Sequence, residues 1–109
     1  MVSRIAVLLL ALSTLSLSAE VRDLKAFFLE RCAVCHGPDG TGRSANGTRL
    51  GGRNLVESRW LAKQEASGLE ASILKGRGAM PGFRRQLTEA EARRLVTEVI
   101  RPLATRKRS

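Results

Sequence analysis

Apolar residues recur along this chain at helical spacing in three places, and no stretch alternates in the way a strand would. Between Val21 and Cys32, the residues Leu24, Phe27, Phe28 and Cys32 share one face, while Arg22, Lys25, Glu30 and Arg31 lie mostly elsewhere. This pattern predicts an amphipathic helix that Gly37-Pro38 stops. A second helix is predicted to open at Ser67, because Ser67 to Glu70 has the form of a capping box. It carries Leu69, Ile73 and Leu74 and ends at Gly76. A third begins at the capping box Thr88-Glu89-Ala90-Glu91 and presents Ala92, Leu95, Val96 and Val99. Pro102 is expected to end it. A short helical candidate around Ser58 to Ala62 holds Trp60, the only tryptophan. The first and last helices each carry one apolar stripe, so they are expected to cross and cover each other. The fold class is therefore all-α, with three main helices and short helical turns.

Residues 37–54 are too polar for a core and too rich in glycine for a regular element. A phosphate-binding loop would need a Gly-Lys-Ser/Thr run between a strand and a helix, which is missing. Arg77 to Phe83 forms a second, stiffer loop around Met80 and Pro81.

The ends read differently. Met1 to Arg4 carries one positive charge, Ile5 to Leu12 is an unbroken apolar run, and Ser13 to Ala19 is small and weakly polar. This is the order of a secretory signal cleaved after Ala19 or near Ser18. The apolar run is shorter than the about 20 residues of a membrane span, so an uncleaved anchor is the lesser alternative. The expected organisation is a signal peptide over 1–19, one domain over 20–104 and a solvated, frayed basic tail over 105–109. Export places the protein in the periplasm.

A chain of 109 residues that loses such a leader buries only about 60–65% of the surface its unfolded form exposes, so its core needs a staple. With 19 Lys plus Arg against 10 Asp plus Glu the formal charge is +9, and removing the leader with Arg4 lowers it to +8. Export argues against nucleic acid as the partner. The charge points instead to acidic partner proteins or to an anionic membrane face, with the protein a monomer.

The staple is legible in Cys32-Ala33-Val34-Cys35-His36, two thiols two residues apart followed at once by an imidazole. This spacing attaches a c-type haem: each thiol adds to one vinyl group, and His36 lies beneath the iron. A zinc site needs about four ligands, and two Cys with one His do not supply them. A dithiol redox motif expects a βαβ setting, but remains the haem-free alternative. Glycines in residues 37–54 would let backbone approach a flat cofactor closely. Once Met1 leaves with the signal, Met80 is the only thioether, and no second His exists, so Met80 is the expected distal ligand. If Met80 did not bind, the open iron would suit an enzyme or gas sensor, but no distal His is available for such chemistry. The indole N–H of Trp60 is a candidate donor to a buried propionate.

Together these motifs resemble the class I c-type cytochromes, and most closely the small haem domains of cbb-type oxidase subunits. The resemblance covers Leu24 to Val99. It rests on Cys32 to Gly37 followed by Pro38-Asp39-Gly40-Thr41-Gly42, on Arg53-Asn54-Leu55 with Trp60 five residues later, and on Gly78 to Pro81. It implies an all-α fold around one haem c held by Cys32 and Cys35, with His36 and Met80 as axial ligands. It also implies a periplasmic electron carrier rather than an enzyme, or a haem subunit of a larger redox complex. In that family the carbonyl of a proline accepts a hydrogen bond from the proximal imidazole, and here Arg53 stands at that position. Arg53, Arg43 and Arg59 are candidate partners of the propionates.

Overall fold

The computed structural model describes residues 21–108, so the signal peptide expected over 1–19 lies outside the described residues. Helix α1 is one continuous run in three parts: α-helical Leu24–Phe27, π-helical Phe28–Cys32 and α-helical Ala33–His36. It starts later than the apolar stripe suggests because Asp23 caps it, its side chain accepting from Ala26 N at 3.0 Å. It also runs past Cys32 and carries the whole Cys-Ala-Val-Cys-His stretch on its last turn. Gly37, at φ +80°, ends it.

Helix α2 is Ser58–Lys63 and α3 is Ala66–Lys75. The capping box expected at Ser67 does not form. The Glu65 carbonyl already accepts from Gly68 and Leu69 at 3.1 and 3.2 Å, so α3 starts ahead of Ser67 and encloses it in the first turn. The box at Thr88 does form. Glu91 N donates to the Thr88 hydroxyl at 3.1 Å, and Thr88 N donates to the Glu91 carboxylate at 3.0 Å.

Helix α4 is again one run, with α-helical Glu89–Arg94, π-helical Leu95–Ile100 and α-helical Arg101–Arg108. Pro102 therefore does not end it, and the tail expected to fray is helical to Arg108. The physical reason is the wide turn immediately before the proline. There Arg101 N reaches Val96 O, five residues back. This shift of register loosens the i to i−4 ladder that the ring would otherwise break.

No strand occurs among the described residues; two isolated bridges, Arg43 with Arg49 and Arg77 with Met80, pin the loops. The fold is the all-α arrangement expected. Leu24 and Phe28 from α1 meet the π-helical part of α4, whose Leu95, Val96, Val99 and Ile100 are all buried. Ile73, Leu61, Val56, Phe83 and Leu87 complete one core. Arg22 clasps its edge, lying over the Phe27 ring, pairing with Glu91 at 3.3 Å and donating to the Gln86 carbonyl. No described helix is long and apolar enough to cross a membrane.

Candidate functional site

The last turn of α1 brings the chemistry together. Cys32 and His36 are four residues apart and therefore stack on one helical face, with Cys35 beside them. Both thiols are free; Cys32 is half-buried and Cys35 exposed. Burial pushes the Cys32 thiol up to about 11, so it stays protonated at neutral pH.

The loop that follows folds back onto this turn. Gly42 N donates to His36 O at 2.6 Å, and Gly52 N donates to Cys35 O at 2.8 Å. Gly52 has no room for a side chain: a Cβ there would overlap the Cys35 carbonyl oxygen and lie 2.9 Å from His36 N. Gly42 and Gly52 thus let backbone approach backbone. The loop then delivers Arg53, whose carbonyl stands 2.9 Å from His36 Nδ1. A carbonyl only accepts, so Nδ1 donates, and in the neutral ring this tautomer leaves the lone pair on Nε2. The contact expected of the residue at position 53 is therefore present.

The Arg53 side chain turns elsewhere. Its guanidinium lies 4.3 Å from the centre of the Trp60 ring and 3.7 Å from the Glu57 carboxylate. Arg43, another candidate for a propionate, donates to Gly47 O at 2.9 Å within its own loop. Arg59 is exposed. Sequence reasoning missed Glu57, although its place four residues after Arg53 at the entrance to a helix was a usable signal.

Met80 closes a tight return after α3, across from Arg77. Arg77 N and Met80 N exchange bonds with each other's carbonyls at 3.0 and 2.9 Å. Phe83 N then donates to Ile73 O at 2.9 Å and Arg84 N to Leu74 O at 3.1 Å. The return presses close on α3, where a Cβ on Gly82 would lie 2.6 Å from Leu74 O. Phe83 meets Phe27 edge to face at 5.7 Å, which joins this loop to α1. Met80 itself is half-buried.

Whether these residues fit a haem can be judged from the surface they leave. Cys32 and Ala33 from α1, Leu55, Trp60 from α2, Leu69 and Leu74 from α3, and Met80 all pack against the core yet stay only partly covered. A flat apolar group fastened at two points would cover such a surface. The free thiols and the fixed histidine tautomer suit it as well. The residues fit. A shallow depression lined by Lys25, Pro38, Asp39, Leu103 and Arg106 contains none of them. Among the described residues no three His, Cys, Asp or Glu side chains cluster together.

The profile of the family described as cytochrome c oxidase, cbb3-type, subunit III matches residues 19–97. The chain belongs to this family. It is a class I c-type cytochrome domain, similar to the haem domains of cbb3 oxidase subunits. A cbb3-type cytochrome c oxidase subunit CcoP from Azospirillum brasilense is 31% identical over 100 residues, covering 90% of this chain and 34% of the relative. A subunit of the same name from Cereibacter sphaeroides is 34% identical over 85 residues, 77% of this chain and 27% of the relative. The cytochrome domain thus spans about a third of the length of these curated relatives. Among solved structures, the KustC0563 c-type cytochrome superposes with a TM-score of 0.62 at 31% identity, covering 75% of this chain and 98% of the other. The cytochrome c family implies a covalently bound haem c and a role in electron transfer.

Proposed function

We propose that this cytochrome domain holds one haem c through thioethers to Cys32 and Cys35, has His36 and Met80 as its axial ligands, and carries single electrons in the periplasm. The observation that carries the reading is the 2.9 Å bond from His36 Nδ1 to the Arg53 carbonyl, made by the residue directly after Cys35. That bond orients the ring and makes the free Nε2 a stronger donor. When bound, haem supplies one-electron exchange between ferrous and ferric iron. The chain's residues do the rest. Cys32 and Cys35 hold the group from the last turn of α1. Met80 offers a neutral, polarisable thioether that favours the reduced state. His36 and Met80 would together hold the iron and leave it no open site, which suits a carrier better than an enzyme.

The net charge favours acidic partner proteins and a weak, salt-sensitive encounter. A second reading, in which the domain works as the haem subunit of a larger oxidase, is favoured by one observation: both curated relatives are named as oxidase subunits. The carrier reading is tested with carbon monoxide. The reduced protein is expected not to bind it, and Met80→Ala is expected to bind it one to one. Stoichiometric binding by the unaltered protein would show an open iron and favour the enzyme or gas-sensor alternative.

A further inference from the structure

We propose that Arg53 is a positioning residue for His36, with its side chain acting as a clamp that holds its own carbonyl in place; this rests on the reading of His36 as an iron ligand. The loop backbone is tied on either side of Arg53, by Gly52 N to Cys35 O at 2.8 Å and by Leu55 N to Gly40 O at 2.7 Å. Between those ties the Arg53 carbonyl accepts the His36 ring proton at 2.9 Å. Neither tie is made by the peptide that carries that carbonyl, so a restraint on residue 53 itself bears on its orientation. The guanidinium supplies the restraint, because it lies 4.3 Å over the Trp60 ring and 3.7 Å from Glu57 on the approach to α2. Trp60 in turn packs on the buried core. A line of contacts therefore runs from the core through Trp60 and the Arg53 side chain to the imidazole. A planar guanidinium stacks on an indole face far better than an ammonium does, so lysine is a poor substitute. The Arg53 charge is also paired with Glu57 within the chain.

The test uses the matured haem protein labelled with nitrogen-15 in its reduced state. Solvent exchange of the His36 Nδ1 proton is measured against exchange of the buried Leu95 and Val96 amides. Arg53→Ala keeps the carbonyl and removes the clamp. It is expected to speed exchange at His36 about two- to five-fold relative to those amides. Arg53→Lys and Glu57→Gln should give smaller increases, and Arg22→Ala, which removes a similar stack on Phe27, none at His36. Unchanged exchange at His36 in Arg53→Ala, or a rise no larger than that of the core amides, would overturn the proposal. A preparation that matures without covalent haem would instead overturn the reading beneath it, and the proposal with it.

Discussion

The loop of residues 37–57 and the loop of residues 76–84 both return the chain to the end of a helix, but they fasten it differently. On the histidine side, rigid atoms do the holding. The carbonyls of Cys35 and His36 each accept a backbone N–H, and the imidazole is held by a third backbone group at Arg53. On the methionine side, backbone bonds to Ile73 and Leu74 fix the loop, while the half-buried sulfur of Met80 ends a chain of rotatable bonds. The nitrogen is preorganised and the sulfur adjusts. Damage to the first loop should therefore destroy the site, and damage to the second should only retune it.

The largest effect is expected where the covalent staple is removed. Replacing Cys32 and Cys35 by Ala together should leave no haem that survives denaturation, and should abolish the cooperative melting transition followed by circular dichroism. A sharp, wild-type-like melt in that variant would refute the idea that the core of this small chain depends on the group.

Next in size is Gly52→Ala. Its new methyl would overlap the Cys35 carbonyl, so urea unfolding should show a loss of about 3 kcal/mol. Gly47→Ala is the control. It sits at φ +87° with nothing near its Cβ, and should lose only about 1 kcal/mol from backbone strain. Equal losses would erase the contrast drawn between crowded and open loop positions.

Met80→Ala should keep the fold at a loss of about 1–2 kcal/mol, since the side chain is only half-buried. Its reduction potential should fall, as redox titration would show. Collapse of this variant to an unfolded state would mean that the methionine loop is as essential as the histidine loop.

Smaller effects sit at the helix caps and in titration. Thr88→Ala should cost about 1 kcal/mol. The Thr88 backbone N–H, and then the Arg22 charge, hold the Glu91 carboxyl below the usual glutamate range. Its contribution is therefore present above that range and lost as pH falls through the lowered value, which acid titration of stability would reveal in wild type and not in Glu91→Gln.

These regions also differ in how plainly the sequence announced them. The Cys-Ala-Val-Cys-His run was readable because its chemistry depends on spacing within one helical turn. The apolar faces of α1 and α4 were readable because their periodicity decides what is buried. The errors came from local rules that tertiary structure overrode. Ser67 resembles a cap, but Glu65 takes the first bonds of α3. Pro102 looks like a terminus, but the π-helical turn at Leu95–Ile100 carries α4 through it. The clamp on Arg53 was hidden because it joins a loop to a helix through side chains, and no short-range pattern encodes the stacking of a guanidinium on Trp60.

The central claim is a single haem bonded through both cysteines. Its most direct test is the intact mass of the matured protein, unfolded and treated with a thiol-alkylating reagent. The account predicts one species heavier than the polypeptide by one haem, with no alkyl group added. A species of polypeptide mass bearing two alkyl groups would contradict it.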